Sequence, residues 1–74
     1  MRDETYVRLA NAIVLQAVKD WRAARRKLKR KSQNESARIE LESCERFFRS
    51  DWFTELTDVD GGVLLRKLYE EDGR

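Results

Sequence analysis

The feature that most constrains this fold is an unbroken helical pattern over residues 3–30. Apolar residues recur there at spacings of three and four, as in a helix packed along one seam. They are Tyr6, Ala10, Ile13, Ala17, Trp21, Ala24 and Leu28. The chain has no proline, and its first glycine is Gly61, so nothing interrupts the pattern. We therefore predict one long first helix, about 40 Å from end to end.

Three shorter helices are predicted to follow. Ser32 and Glu35 form a capping-box pattern, with Asn34 as the competing N-cap, and mark the start of the second helix. Ser50 or Asp51 can cap the third, and acidic residues at the start of the fourth suit the positive end of its dipole. The predicted ranges are 34–49, 51–56 and 59–71.

The expected fold is one all-α domain over residues 1–74, a long antiparallel helical hairpin plus two shorter C-terminal helices. A chain of 74 residues buries only roughly 60% of its unfolded surface and is marginally stable alone. Cys44 is the sole cysteine and there is no histidine, which excludes an internal disulfide and Cys/His zinc sites as stabilising elements. The missing stability would therefore come from well-packed helices or from self-association, and we expect a homo-oligomer without a cofactor.

Charge is divided unevenly along the chain. Residues 1–31 contain ten Lys or Arg against three Asp or Glu, whereas residues 32–74 contain six against eleven. At the end of the predicted first helix, cations recur at spacings of three and four and form a basic stripe opposite the apolar seam. The basic stripe consists of Lys19, Arg22, Arg26, Lys29 and Arg30.

The basic stripe has two interpretations. Arginine binds phosphate oxygens in a bidentate way, and each neutralised phosphate releases counterions, so the stripe predicts binding of nucleic acid or a nucleotide second messenger. Alternatively, it is a solvated surface that balances the negative end of its own helix dipole and pairs with the acidic second half of the chain.

Three apolar side chains are further candidates for contact with a partner. The stretch FFRSDWF at residues 47–53 is either a core corner between two helices or an aromatic platform, for which Trp52 is the first candidate. Leu15 lies among the cations and Ile39 lies opposite the apolar seam of its helix, which favours an interface.

No catalytic apparatus is visible in the sequence. Histidine is absent, no Ser–Lys or Cys–His arrangement occurs, and Cys44 lies on an apolar seam as a core residue does. We therefore expect neither an enzyme nor a metal site. The chain has no apolar run long enough to span a membrane and no signal-peptide pattern, which predicts a cytoplasmic protein of a bacterial host cell.

The segments AIVLQAVKDWRAARRKLKR, ERFFRSDWF, LTDVDG and LLRKL cover most of the chain. Together they resemble a group of small uncharacterised proteins carried by phages, prophages and conjugative elements of Firmicutes. The resemblance implies an accessory protein of a mobile element and, by analogy, a DNA-associated factor or an inhibitor of host defence.

Two functional hypotheses follow. The first is a non-enzymatic phage-type protein that binds a phosphate-bearing ligand through the basic stripe. Binding of this ligand would counter host defence. The second is a protein–protein inhibitor of a host defence protein, of the anti-CRISPR kind, or an assembly factor, acting through its helix faces.

Overall fold

The computed structural model describes residues 3–73 and confirms the all-α fold, since these residues form four helices and no strand. The helices are α1 (Glu4–Arg30), α2 (Glu35–Phe48), α3 (Asp51–Leu56) and α4 (Gly61–Asp72). Helix α1 packs along α2 as the long antiparallel hairpin that the apolar spacing predicts.

Each helix begins at a polar side chain that accepts a hydrogen bond from the first turn. The N-caps are Asp3, Asn34, Ser50 and Asp60. Helix α2 uses Asn34, which accepts from the N–H of Ala37 at 3.0 Å, so the competing cap takes the position rather than Ser32. Helix α4 begins at residue 61 rather than 59 because Asp60 is its N-cap. The Asp60 carboxylate accepts hydrogen bonds from the backbone N–H groups of Gly62 and Val63.

The core lies where α2, α3 and α4 pack against α1 and against one another. Its largest fully buried side chains are Trp21, Phe48 and Phe53. The rings of Phe48 and Phe53 meet edge to face at 5.7 Å, which fixes the corner between α2 and α3. The three phenylalanines of residues 47–53 therefore pack as the predicted core corner.

Helix α1 is supported unevenly along its length. Tyr6 and Ile13 belong to the predicted apolar seam, yet they are 38% and 44% exposed. The reason is that α2 ends at Phe48 and reaches along α1 no further than the groove that Phe47 shares with Ile13. The first turns of α1 lie beside the six-residue α3, where the Tyr6 hydroxyl donates to the Glu55 carbonyl at 3.2 Å. The result is an elongated molecule of 44 × 22 × 18 Å.

Candidate phosphate-binding face

All five residues of the basic stripe are exposed on the last three turns of α1. They lie on the side of the helix away from the buried Trp21 and Ala24, as the spacing predicts. From Lys19 to Arg30 the stripe is about 16 Å long at the rise of an α-helix. The helix also ends with basic residues in its last turn, which stabilise the negative end of its dipole.

The acidic end of α4 reaches part of this stripe. Arg22 forms an ion pair with Glu71 at 3.2 Å, and Lys29 forms one with Asp72 at 3.0 Å. The Lys29 ammonium also donates to the Asp72 carbonyl at 2.8 Å. Helix α4 has no basic residue in its own last turn, so the cations of α1 offset the repulsion between these carboxylates and the α4 dipole.

Three members of the stripe have no ion-pair partner among the residues that the structure describes. Within residues 3–73, Lys19, Arg26 and Arg30 form no ion pair. They are separated by seven and four positions, which places them along one line of the helix surface. The stripe therefore combines two cations held by α4 with three that are available to an external anion.

Arg25 was not expected at the site, and it is the least exposed cation there. It pairs with Asp72 at 2.9 Å, with only 28% and 14% of the two side chains exposed. Burial by itself would raise the pKa of Asp72, but the hydrogen bonds from Lys29 and Arg25 have the larger combined effect. The pKa of this carboxyl is therefore lowered. The available sequence signal was the spacing of four from Trp21, which places Arg25 at the edge of the apolar seam.

A network of polar and aromatic groups fixes the position of the basic stripe on the bundle. Glu45 on α2 accepts from Trp21 Nε1 at 3.0 Å and from the Tyr69 hydroxyl. The Trp21 and Tyr69 rings meet edge to face at 5.0 Å, and the Arg25 guanidinium lies 5.2 Å from the centre of the Tyr69 ring. Burial and the hydrogen bond to Glu45 raise the pKa of Tyr69 to about 12.

The cavity beside the stripe is not suited to a nucleotide. It has a volume of about 280 Å³ and lies between α1 and the end of α4, where Arg22 and Arg26 are accompanied by Glu71 and Asp72. The two carboxylates repel phosphate, and the Trp21 ring is only 1% exposed, so it cannot stack on a base.

The other predicted site residues lie apart from the stripe. Trp52 is 57% exposed on α3, beside the first half of α1, whereas the stripe begins at Lys19. Leu15 and Ile39 are each 60% exposed. The apolar seams of α1 and α2 face each other, so Leu15 and Ile39, opposite those seams, lie on outer sides of the hairpin and share no common surface.

Within residues 3–73, no group of Cys, Asp or Glu side chains is arranged to hold a metal ion. None of the helices in the same range combines the length and apolar character needed to cross a bilayer. Comparison with protein-family models, curated proteins and solved structures finds no match to this chain.

Proposed function

We propose that this protein binds the phosphate backbone of nucleic acid through the basic stripe on α1. The observation that carries the proposal is the line of exposed cations Lys19, Arg26 and Arg30, which form no ion pair within residues 3–73. They lie on a helix that packs against the core through Trp21 and Ala24. Arg22 and Lys29 flank this line, and an incoming phosphate can compete with the exposed Glu71 carboxylate for Arg22.

The shape of the stripe favours a polymer over a small nucleotide. Sites for small molecules are concave and enclose most of their ligand. The stripe is the convex outer side of a helix, about 16 Å long. An extended backbone with successive phosphates can follow such a line, whereas one nucleotide would contact only a part of it. The expected binding is electrostatic and independent of sequence.

The resemblance to proteins of mobile elements supplies the setting of this proposal. In that setting, the stripe would serve to handle the DNA of the element or to shield it from a host defence system. The rival hypothesis, an inhibitor that acts on a host protein through Leu15 and Ile39, is less well supported because these side chains are 60% exposed on different sides of the hairpin.

A charge-removal series tests the proposal. The triple variant Lys19→Gln/Arg26→Gln/Arg30→Gln should bind a fluorescent duplex oligonucleotide at least about tenfold more weakly, because three phosphate contacts are lost. The slope of log affinity against log salt concentration should become less steep by about 2.7, since each phosphate contact on duplex DNA contributes about 0.9 to it. Fluorescence anisotropy over a salt series gives both quantities.

The matched control is Arg46→Gln/Arg66→Gln/Lys67→Gln, which removes the same charges from exposed positions on α2 and α4. We expect this control to lose much less affinity and to keep the wild-type slope. Equal losses in the two variants would show that only net charge matters, and an unchanged affinity in the first would refute the proposal directly.

A further inference from the structure

A second surface lies on the flank of the hairpin that α4 leaves uncovered. It is a groove of about 370 Å³ between α1 and α2, whose apolar lining is Ile13, Ala17, Cys44 and Phe47. Leu9 continues the same side of α1 one turn earlier and is 62% exposed. The contacts of α4 with α1 involve Trp21, Arg22, Arg25 and Lys29 instead, on the other flank.

We propose that this groove is the interface of an antiparallel homodimer, with a second copy of this chain as its occupant. Leu9 and Ile13 are exposed along this flank of α1, so a partner there would cover apolar surface that the chain leaves exposed. A two-fold axis uses the same surface on both copies, which a groove with an exposed apolar ridge beside it can satisfy.

The charges at the two ends of the molecule select the antiparallel arrangement. The end formed by residues 25–38 and 70–72 carries seven Lys or Arg against four Asp or Glu. The opposite end, formed by residues 3–11 and 49–60, carries two against six. An antiparallel pair places the basic end of each copy beside the acidic end of the other, whereas a parallel pair would place like charges together.

The register of this pair follows from the position of the groove and from the charges at the two ends. When the two-fold axis passes near Ala17, the opposite ends of the two copies lie side by side. In this register Ile13 of each copy lies against the groove beside the partner's Cys44 and the partner's Phe47. Ile13 is 44% exposed in the single chain, so it has apolar surface left to bury in this contact.

The rim of the groove disfavours nucleic acid as the occupant. Asp20 lines the groove, and Asp20, Glu40 and Glu45 are close enough to Cys44 to raise the pKa of its thiol, after burial itself. A carboxylate in the lining of an apolar groove repels a polyanion. The groove and the basic stripe are therefore separate surfaces for different partners.

Sedimentation equilibrium of the full chain, without nucleic acid, tests the proposal. We expect the wild type to dimerise at micromolar concentration. Leu9→Glu/Ile13→Glu should raise the dimer dissociation constant at least about tenfold, because a carboxylate would be buried without a partner. The matched control is Leu15→Glu, an exposed leucine of nearly equal exposure on the other side of the same helix, which should leave the dimer intact.

Cross-linking provides a second measurement that does not depend on weakening the fold. In a Cys44→Ala background, Gln16→Cys lies close to the proposed axis and should form a disulfide-linked dimer under mild oxidation. Leu15→Cys in the same background should remain monomeric on a non-reducing gel. Circular dichroism of every variant shows whether the helices are retained.

Three results would overturn the proposal. A wild type that stays monomeric at about 100 µM, where a specific dimer of ordinary affinity is fully formed, would leave the groove to a partner of another sequence. A dimer that is lost in Leu15→Glu but kept in Leu9→Glu/Ile13→Glu would place the interface on the basic stripe. Cross-linking of Leu15→Cys in preference to Gln16→Cys would do the same. Phosphate binding is measured in a separate experiment, on the charge-removal variants of the basic stripe.

Discussion

At the scale of single residues, the carboxylate of Glu45 connects three helices. It belongs to α2, and it accepts hydrogen bonds from Trp21 on α1 and from Tyr69 on α4. Trp21 is almost fully buried, so its indole N–H needs this acceptor inside the bundle. Glu45 therefore sets the angle at which α1 presents the basic stripe.

The titration of Tyr69 reports on this contact. The pKa of Tyr69 is raised from 10.0 to about 12, by burial first and by the hydrogen bond and charge of Glu45 next. Glu45→Gln should lower this pKa toward the ordinary value, because the amide carries no charge. Tyrosinate absorbance measures the shift, and Glu42→Gln, an exposed glutamate of the same helix, should leave it unchanged.

The sign of the accompanying stability change is fixed by linkage. Tyr69 in the unfolded chain loses its proton near pH 10, whereas in the folded chain it does so near pH 12. The free energy of unfolding should therefore fall as the pH rises through this window, and it should fall less in Glu45→Gln. The same dependence in both proteins would show that Glu45 does not hold the Tyr69 proton.

The sequence predicts the helix caps but not the hydrogen bonds that Glu45 accepts from Trp21 and Tyr69. Caps such as Asn34 and Ser50 act within one turn of the chain, so local spacing is enough to propose them. Spacing along α2 pairs Glu45 with Arg49, four residues later. Its observed partners each lie 24 residues away along the chain, on two other helices, and only the folded bundle brings them together.

At the scale of helices, the start of α4 depends on a close backbone approach. A Cβ atom on Gly61 would lie 1.8 Å from the Phe48 carbonyl oxygen, whereas one on Gly62 would meet only the Asp60 carboxylate at 3.3 Å. The chain therefore enters α4 directly against the end of α2, and only a glycine fits at the first of the two positions.

Gly61→Ala should lower the free energy of unfolding by about 3 kcal/mol, because α4 must shift away from α2 to make room for the methyl group. Gly62→Ala is the matched control and should be neutral or slightly stabilising, since alanine favours the helix. Chemical denaturation followed by circular dichroism gives both values. Equal stability of the two variants would contradict the close approach.

The contact between α1 and the end of α4 couples stability to binding. Asp72→Asn should lower the free energy of unfolding by about 1 kcal/mol at neutral pH, because Arg25 and Lys29 lose their carboxylate. The same variant should bind duplex DNA a few times more tightly, since both cations become available. Glu70→Gln removes an equal charge from the same turn and should change neither quantity.

Acid should have the same effect as this substitution. The folded-state pKa of Asp72 is lowered, so its contribution is present above the unfolded-state pKa and is lost as the pH falls through the folded-state value. The stability difference between wild type and Asp72→Asn should therefore shrink under acidic conditions. A constant difference across the pH range would mean that it does not come from the charge of the Asp72 carboxylate.

The order of the helices was predictable because apolar periodicity and caps are local signals. The exposure of Ile13 and the pairing of Arg22 were not, because both depend on how far α2 and α4 extend beside α1. One interpretation was that the stripe pairs with the acidic half of the chain. Arg22 and Lys29 form such ion pairs, whereas Arg26 forms none within residues 3–73. Helix lengths in space, rather than the residue pattern, decide between the two interpretations.

At the scale of the whole molecule, α1 is the axis on which the other three helices are arranged. Helix α4 and the basic stripe occupy one end of the 44 Å molecule, and α3 with its acidic neighbours occupies the other. The stripe and the groove lie on different sides of α1, so one long helix provides two independent surfaces.

The separation of charge along this axis has a kinetic consequence. A monomer with opposite charges at its two ends is an electric dipole, and the field of a polyanion turns it so that the basic end arrives first. Such orientation raises the rate of association more than it slows dissociation. In an antiparallel pair the two dipoles cancel, so dimers would approach DNA without a preferred direction, and each would carry one basic end on either side.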